Sequence, residues 1–465
     1  MSKIKGAVVV DVNRCKGCNL CVVACPTQTL ALTTNEVNHK GYAYSYMAQP
    51  DTCIGCSSCA IVCPDGCISV YKTPRPAARP AAAACDAPVA QHEPEKVPSV
   101  PADAEEGEVL LMKGNEAIAH AAIRCGCDGY FGYPITPQSE VLETLSELKP
   151  WETTGMVVLQ AESEVASINM LYGGGGTGKR VMTSSSSVGI ALMQEGISYM
   201  AGAEVPGVIV NVQRGGPGLG TIQPSQSDYN QATRGGGNGD YNLIVLAPNS
   251  VQEMADFVDL AFTLAFKYRN PTLILSDGVI GQMMEKVVLP PYKPRRTEEE
   301  IAAECPWAAN GHGLEKRGVN VITSLELQSV EMEKRNLHLQ AKYKEIAENE
   351  VRYETTDCED ADYLIVAFGS AARISQKAMS VARQQGLKVG LFRPITLWPF
   401  PTKEIHAMAA GKKGVLAVEI NAGQMVFDVR AAVAGQAPVA HFGRLGGIVP
   451  SPDEIVEALI SSFCH

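Results

Sequence analysis

The stretches CKGCNLCVVACP, residues 15–26, and CIGCSSCAIVCP, residues 53–64, decide the fold of the first part of the chain. Both follow the spacing C-x2-C-x2-C-x3-C and are closed by a proline. In this pattern the first three cysteines of each run bind one [4Fe-4S] cluster, and the fourth binds the other cluster. Structural zinc sites, the alternative, use cysteine pairs rather than two such runs. The predicted ligands are Cys15, Cys18, Cys21 and Cys63 for one cluster, and Cys53, Cys56, Cys59 and Cys25 for the other.

The remaining cysteines lack this spacing. Cys67 follows the second run closely and is predicted to be an ordinary half-buried thiol. No ligand role is predicted for Cys85, Cys125, Cys127, Cys305, Cys358 and Cys464. Because the N-terminus does not read as a signal peptide, the cysteines are not interpreted as a disulfide framework.

Charge and hydropathy exclude several classes of function. A net charge of -11 leaves no basic patch for nucleic acid. No apolar run approaches the roughly 18–20 residues that a membrane span needs. We therefore expect a cytoplasmic protein that binds neither nucleic acid nor a membrane.

Composition divides the chain into five segments. A Pro/Ala-rich linker separates the cysteine-rich segment from a body in which buried strands alternate with amphipathic helices, as in α/β domains. A connector with a charged helix near Leu325–Glu350 interrupts the body. The predicted segments are an α+β ferredoxin-like domain (1–72), the linker (73–107), a large α/β domain (108–290), the connector (291–360) and a smaller, doubly wound α/β domain (361–465).

Two glycine-rich stretches resemble nucleotide-binding loops only superficially. GGGGTGK, Gly173–Lys179, is followed by Arg180 instead of Ser or Thr, and it connects a helix to a strand. A phosphate loop must instead lead from a strand into a helix. GGPGLG, Gly215–Gly220, is out of register with a dinucleotide motif and is interpreted as a flexible loop near a bound group. Neither stretch indicates that the chain binds ATP or NAD.

Several long motifs in the body resemble the α chain of the 2-oxoacid:ferredoxin oxidoreductases. They are KGNEAIAHAAIRCG, FGYPITPQSE, LQAESEVASINMLYG, VMTSSSSVGIALMQEG, VNVQRGGPGLG and PSQSDYN, all within residues 113–285. The resemblance implies that the large domain is the pyrimidine-binding domain of a thiamine diphosphate enzyme. It also implies that the cysteine-rich segment is a fused, δ-type ferredoxin with two [4Fe-4S] clusters.

The resemblance further implies a set of site residues. One glutamate holds the aminopyrimidine ring of the cofactor; Glu162 and Glu164 both lie in the matching motif, and the motif favours Glu164. Thr136 matches a position beside the substrate carbonyl, although it also stands where a helix cap could lie, with Pro137 at the first helical position. Arg214 matches an arginine that binds the substrate carboxylate, and the alternative is an ordinary salt bridge. Further positions expected beside the cofactor are Pro134, Ile135, Ser185 and Ser186.

The chain lacks half of the expected cofactor site. Neither GNGD, residues 237–240, nor SDG, residues 276–278, continues into the pattern that holds the diphosphate and Mg2+. The resemblance therefore implies a β chain that supplies this half, the Mg2+ and a further [4Fe-4S] cluster. A separate γ chain, a soluble ferredoxin as electron acceptor and a dimer of hetero-oligomers are also expected.

The predicted function is the coenzyme A-dependent oxidative decarboxylation of a 2-oxoacid to acyl-CoA and CO2, with electrons passed to ferredoxin. YPITPQSE followed by QAESEVA favours the branched-chain substrate 2-oxoisovalerate. The alternatives are 2-oxoglutarate, with reductive carboxylation as a possible direction, and an electron-transfer adaptor without catalysis.

Overall fold

A computed structural model of the chain describes residues 6–72, 107–311 and 319–464. The chain divides into two compact units, residues 1–92 and 93–465. Except for Gly107, the predicted linker lies outside the described residues. Within the described segments, no helix combines the length and the apolar character that crossing a membrane requires.

The N-terminal unit is built from two antiparallel strand pairs and short helices. Its elements are β1 (Gly6–Val10), α1 (Leu20–Val23), β2 (Leu30–Leu32), β3 (Ser45–Met47), a 3-10 turn (Pro50–Thr52), α2 (Ser58–Ile61) and β4 (Ile68–Lys72). Strand β1 pairs with β4, and β2 pairs with β3. Each helix lies inside one cysteine run, so the two runs adopt the same local structure. This is the α+β ferredoxin-like architecture expected from the spacing.

The larger unit alternates strands and helices. Its strands are β5 (Val109–Lys113), β6 (Gly129–Gly132), β7 (Val157–Gln160), β8 (Val181–Ser185), β9 (Gly207–Gln213), β10 (Ile244–Leu246), β11 (Pro271–Asp277), β12 (Met284–Val288), β13 (Tyr353–Thr356), β14 (Tyr363–Ala367), β15 (Val389–Pro394), β16 (Thr396–Trp398), β17 (Gly414–Glu419) and β18 (Val439–Gly443). Its helices are α3 (Gly114–Arg124), α4 (Ser139–Leu148), α5 (Pro150–Thr153), α6 (Glu164–Gly176), α7 (Ser187–Ala203), α8 (Tyr229–Arg234), α9 (Val251–Tyr268), α10 (Gly278–Gln282), α11 (Glu298–Glu304), α12 (Ser329–Asn349), α13 (Gly369–Gln384), α14 (Thr402–Ala409), α15 (Met425–Val433) and α16 (Pro452–Phe463).

Two mainly parallel sheets form the body of this unit. The first has the order β16-β10-β11-β9-β8-β6-β7, and the second has the order β13-β15-β14-β17-β18. In the first sheet all seven residues of β9 and of β11 are buried, as expected for strands covered on both faces. Only β16 and β13, at the edges, run antiparallel to their neighbours. The carboxyl ends of the parallel strands therefore carry the loops that form a site.

Several sequence expectations need correction. The segment KVGLFRPIT, residues 388–396, contains β15 and the start of β16, because the chain turns at Ile395 and β16 joins the first sheet beside β10. Helix α7 begins at Ser187, since Ser186, directly after β8, is the extended N-cap residue. The charged connector helix begins at Ser329, after an extended Gln328. Helix α4 begins at Ser139, so Pro137 is not at its first position.

Ser250 and Glu253 have the spacing of a capping box at the start of α9, and only half of the box is formed. Ser250 Oγ accepts the backbone N–H of Glu253 at 3.1 Å. The Glu253 carboxylate accepts from the backbone N–H of Asn249 instead of that of Ser250. It also pairs with Arg393 through two hydrogen bonds of 2.7 Å. The second half of the box is therefore replaced by a contact between the two sheets.

The two sheets are also joined by a buried glutamine. Gln226 donates its backbone N–H to the carbonyl of Ile420 and its side-chain Nε2 to the carbonyl of Phe368. Its side-chain oxygen accepts the N–H of Ile420, so the polar groups of this fully buried residue are matched by backbone groups of the second sheet. These bonds fix the loop after β9 against the end of β17.

Candidate functional site

Two cavities in the N-terminal unit are lined by the two predicted sets of cysteines. The cysteines at the wall of the first include Cys15, Cys18, Cys21 and Cys63. The cysteines that line the second are Cys53, Cys56, Cys59 and Cys25. Across the described ranges, no three Cys, His, Asp or Glu side chains meet at the distances of a single-ion site. Each cavity thus takes three thiols from one run and the fourth from the other.

The two cysteine runs turn around their cavities in the same way. Gly17 and Asn19 have positive φ values of 67° and 66°, and Gly55 and Ser57 have 65° and 66°. At Gly17 a Cβ would lie 2.5 Å from the carbonyl oxygen of Ala43, so only glycine fits. The fourth cysteine of each run accepts a backbone N–H, from Thr29 to Cys25 Sγ at 3.3 Å and from Cys67 to Cys63 Sγ at 3.4 Å. Such N–H···S contacts suit thiolate ligands of a cluster.

Cys67 differs from its sequence expectation. It is 5% exposed rather than half-buried, and it lines the first cavity together with the four predicted ligands. Its Sγ lies 3.4 Å from Cys63 Sγ. The cysteine spacing does not predict the contact between Cys67 and Cys63. The contact arises from the turn after Pro64, which leads the chain into β4.

In the larger unit, the structure distinguishes the two candidate glutamates. Glu162 is exposed, whereas Glu164 is 6% exposed and begins α6 behind the N-cap residue Ser163. Among the described residues, none donates a hydrogen bond to the Glu164 carboxylate. The residue is buried, but its carboxylate oxygens are not among the fully enclosed polar atoms, so they remain accessible to a bound group.

A glycine in α7 makes room beside this carboxylate. A Cβ on Gly189 would lie 2.7 Å from Glu164 Oε1 and 2.1 Å from Ser185 Oγ. The hydroxyls of Ser185 and Ser186 are buried and have no hydrogen-bond partner among the described residues. A carboxylate and two hydroxyls, all unpaired, therefore lie around the start of α7. This donor and acceptor set fits the polar edge of an aminopyrimidine ring.

Thr136 and Arg214 are brought together at the carboxyl ends of β6 and β9. Arg214 donates from one terminal nitrogen to the carbonyl oxygen of Thr136 at 2.9 Å and from the other to that of Leu219 at 3.1 Å. Its Nε is buried and without a partner in the described part of the chain. Arg214 makes no salt bridge with another residue in the part of the chain that the structure describes, and its hydrogen bonds there go to backbone carbonyls.

Thr136 does not cap a helix. It is exposed, and α4 begins three residues later with Gln138 as its N-cap. The following residue is held instead, since Asn115 and Gln282 both donate to the carbonyl of Pro137, at 2.6 Å and 2.9 Å. Both also donate to the Glu140 carboxylate. Burial acts to raise the pKa of Glu140, but these hydrogen bonds outweigh it and the pKa is lowered. Pro134 is exposed and Ile135 half-buried in the same loop.

A chain of hydrogen bonds supports the backbone of Arg214. The Arg214 N–H donates to Ser187 Oγ at 3.0 Å, and the Ser187 hydroxyl donates to Asp228 Oδ2 at 2.6 Å. Asn211 donates to the same carboxylate oxygen at 2.9 Å. Burial raises the pKa of Asp228, although these hydrogen bonds oppose the shift. Asp228 lies in the motif PSQSDYN, and the sequence predicted no role for it.

An open cleft of about 910 Å3 lies between the two sheets, in front of Arg214. The glycine-rich loop 215–219 forms one wall. Residues of the second sheet, including Asn421 and Gln424, form the opposite wall. By contrast, most of GGGGTGK belongs to the end of α6, which agrees with the rejection of a phosphate loop.

Three family models match the chain. Residues 14–67 match the 4Fe-4S dicluster domain. Residues 120–356 match the thiamine diphosphate-binding domain of pyruvate flavodoxin/ferredoxin oxidoreductase, and residues 361–455 match core domain II of pyruvate:ferredoxin oxidoreductase.

Individual relatives agree with these models. The ketoisovalerate oxidoreductase subunit VorB of Methanothermobacter marburgensis is 49% identical over 337 residues, 72% of this chain and 93% of the relative. The 2-oxoglutarate synthase subunit KorA of Methanothermobacter thermautotrophicus is 35% identical over 375 residues, 76% of this chain and 98% of the relative. The solved 2-oxoglutarate:ferredoxin oxidoreductase of Magnetococcus marinus superimposes with a TM-score of 0.66 at 28% identity. That match covers 76% of this chain and 65% of the other.

Fold, site and comparisons together define a thiamine diphosphate-binding, iron–sulfur oxidoreductase. The chain belongs to the 2-oxoacid:ferredoxin oxidoreductase family, as an α chain fused to an N-terminal ferredoxin domain with two [4Fe-4S] clusters.

Proposed function

We propose that this chain, together with a β chain and a γ chain, converts 2-oxoisovalerate and coenzyme A into an acyl-CoA and CO2. The electrons leave through its two [4Fe-4S] clusters to a soluble ferredoxin. The observation that carries the proposal is the buried, unpartnered Glu164 beside Gly189, close to the loop ends that hold Thr136 and Arg214. An adaptor without catalysis would have no reason to keep a buried carboxylate unpaired.

The charge of the cleft supports a substrate with one carboxylate. Arg214 is the only cationic side chain among the described residues that line it, and Asp228 adds a negative charge when it is ionised. The second carboxylate of 2-oxoglutarate would therefore lack a counter-charge. Val188, Ala191 and Leu219 supply apolar surface that suits a branched aliphatic side chain. The name of the VorB relative agrees with this preference.

Each predicted site residue has a role in this reaction. Thiamine diphosphate, when bound, supplies the nucleophilic carbon and the electron sink for decarboxylation. Glu164 accepts a proton-sharing hydrogen bond from the aminopyrimidine ring and keeps the ring in the tautomer that can take up a proton. Arg214 binds the substrate carboxylate with its planar guanidinium group. The Thr136 hydroxyl donates to the 2-oxo oxygen, where negative charge develops.

The remaining proposed site residues hold the cofactor in place. The unpaired hydroxyls of Ser185 and Ser186 are available to the ring, and Pro134 and Ile135 belong to the loop that presents Thr136. In the N-terminal unit, Cys15, Cys18, Cys21 and Cys63 bind one cluster, and Cys53, Cys56, Cys59 and Cys25 bind the other.

A partner chain completes the site. The sequence lacks the continuation that would bind the diphosphate and Mg2+, so we assign these to the β chain, with its own [4Fe-4S] cluster. Strand β7, which leads into Glu164, is the edge of its sheet, and its Val157 and Leu159 are 50% and 39% exposed. An apolar edge strand next to the catalytic glutamate is a suitable surface for that chain.

Replacing Glu164 tests the proposal. In the purified complex, Glu164→Gln should abolish 2-oxoacid-dependent viologen reduction, because the amide cannot share a proton with the ring as a carboxylate does. The absorbance of the clusters should not change. Glu162→Gln, two residues away and exposed, is the matched control and should keep normal activity.

Survival of activity in Glu164→Gln would show that the catalytic assignment is wrong. Loss of activity in both variants would point to a structural effect on the start of α6. The substrate is tested on the unaltered complex with 2-oxoisovalerate, 2-oxoglutarate and pyruvate. A kcat/KM that is highest for 2-oxoglutarate would overturn the branched-chain preference.

A further inference from the structure

The first cavity of the N-terminal unit has one thiol more than a [4Fe-4S] cluster needs. Five cysteines line it, the four predicted ligands and Cys67. Cys67 is buried, and its Sγ lies 3.4 Å from Cys63 Sγ. In a tetrahedral thiolate site with metal–sulfur bonds of about 2.3 Å, the sulfurs stand about 3.8 Å apart. The separation of 3.4 Å between the two sulfurs is close to this value, so Cys67 Sγ lies near the coordination sphere of the metal that Cys63 binds.

The second cavity provides an internal comparison, because the two cysteine runs are related by local symmetry. Thr29 occupies the position that corresponds to Cys67, four residues after the last cysteine of its run. Both residues donate a backbone N–H to that cysteine, at 3.3 Å and 3.4 Å. The Thr29 hydroxyl is engaged with Thr27 and Thr52, each at 2.9 Å. Among the described residues, the second cavity has four cysteines and no spare thiol.

The backbone of Cys67 is anchored independently of its side chain. Its carbonyl oxygen accepts the N–H of Asp11 at 2.7 Å, and Ile68 begins β4 directly after it. Its side chain can therefore change rotamer without disturbing the strand pair β1–β4.

We propose that Cys67 is a reserve ligand for the cluster in the first cavity. When the bond between iron and Cys63 Sγ breaks, the Cys67 sulfur forms a bond to the same iron, and the Cys67 proton passes to Cys63 Sγ. The iron keeps its oxidation state, and the cluster keeps four thiolate ligands. The second cluster has no such replacement when its bond to Cys25 breaks.

The two cavities allow a matched experiment on the full-length chain, purified without oxygen. Iron and acid-labile sulfide are counted, and the reduced clusters are examined by electron paramagnetic resonance. The unaltered chain and Cys67→Ala should both contain about eight irons, since two four-iron clusters are present. Cys63→Ala should keep about eight irons, whereas Cys25→Ala should keep about four.

Double variants keep the test independent of folding defects. Cys63→Ala combined with Cys67→Thr makes the second run equivalent to the first run of the Cys25→Ala variant. The iron content should therefore fall to about four. Cys25→Ala with Thr29→Cys should restore about eight irons by placing a thiol at the corresponding position of the second cavity.

Two results would overturn the proposal. One is a Cys63→Ala chain that loses as much iron as Cys25→Ala. The other is a chain with Cys63→Ala and Cys67→Thr that keeps its full iron content, because the cluster would then survive without Cys67.

Discussion

At the scale of single residues, the geometry of Arg214 is set by carbonyl groups that no sequence motif identifies. Its terminal nitrogens donate to Thr136 and Leu219, which lie 78 and 5 residues away along the chain. These two bonds fix the plane of the guanidinium group in front of the cleft. The side chain is therefore oriented before any substrate binds, which lowers the cost of binding.

Arg214→Lys tests whether this planar group binds the carboxylate. Lysine keeps the charge but cannot form the paired hydrogen bonds, so the KM for the 2-oxoacid should rise about 10- to 100-fold. Initial rates of the complex across substrate concentrations give this value. The matched control is Arg234→Lys, an exposed arginine paired with Asp428, which should leave KM unchanged. An unchanged KM in Arg214→Lys would remove Arg214 from the carboxylate site.

Ser187→Ala tests the support of Arg214. The variant removes the acceptor of the Arg214 N–H and one of the donors to Asp228. We expect a KM about 10-fold higher, with kcat at saturating substrate little changed, because the loss corresponds to about one hydrogen bond. Ser227→Ala, in the same cleft but without contact to Arg214, is the control. A fall in kcat alone would instead indicate a role in the chemical step.

The sequence predicted these residues unevenly. A resemblance points to Glu164, Thr136 and Arg214 because each lies in a motif that carries chemistry. Asp228 and Gly189 act through contacts made by folding, across 41 residues to Ser187 and 25 residues to Glu164. A spacing rule along the chain cannot reveal such pairs.

At the scale of elements, helix α7 shapes the cofactor site through a missing side chain. Gly189→Ala would place a methyl group 2.7 Å from Glu164 Oε1 and 2.1 Å from Ser185 Oγ, so the carboxylate must move. The thiamine diphosphate concentration for half-maximal activity should rise by about 10-fold, equivalent to about 1.4 kcal/mol.

Gly202→Ala on the same helix is the control for this prediction. Its Cβ would approach only Ser324 Cβ, at 3.1 Å. Both variants gain about 1 kcal/mol of helix propensity, so a cofactor defect confined to position 189 isolates the effect on Glu164. Equal cofactor titrations for the two variants would disprove the role of Gly189.

Strand β15 is tied to helix α9 by a buried ion pair. Arg393 is 4% exposed and bonds to Glu253 twice, at 2.7 Å, and to Glu354 at 2.9 Å. Arg393→Met should lower the free energy of unfolding by about 2–3 kcal/mol, because it leaves the partly buried Glu253 without a counter-charge.

Urea denaturation of the full chain measures this loss. Arg383→Met removes a more exposed arginine that pairs with Asp360 and should cost less than about 1 kcal/mol. Similar losses in the two variants would mean that the contact between α9 and β15 does not depend on the ion pair.

Hydrophobic patterning predicted the alternation of strands and helices, but it did not predict the end of β15 or the start of β16. The apolar runs in β9, β11, β14 and β17 are long and fully buried, so pattern and structure agree. The division between β15 and β16 lies inside one apolar segment, and it arises because β16 pairs with β10 of the other sheet. Pairing between distant segments is a tertiary effect that the local pattern does not record.

At the scale of the whole molecule, the two units depend on different sources of stability. In the described part of the N-terminal unit, the buried core contains Val8, Leu30, Ile68 and five cysteines, Cys15, Cys21, Cys53, Cys59 and Cys67. A core this small cannot stabilise a domain by apolar burial alone. The larger unit has an extensive core of aliphatic and aromatic side chains. We therefore expect cluster binding to contribute to the folding of the first unit and not to that of the second.

Removing the clusters with a chelator and an oxidant tests this difference. The three tryptophans, Trp151, Trp307 and Trp398, all belong to the larger unit, so their fluorescence during urea denaturation reports on that unit alone. We expect this transition to stay at the same urea concentration after cluster loss. Hydrogen exchange of residues 6–72 should become fast, because the cysteine-lined cavities lose the groups that hold their walls together. Slow exchange in residues 6–72 after complete loss of iron would show that the small core folds without its clusters. A shift of the tryptophan transition to another urea concentration would show that the larger unit also depends on the clusters.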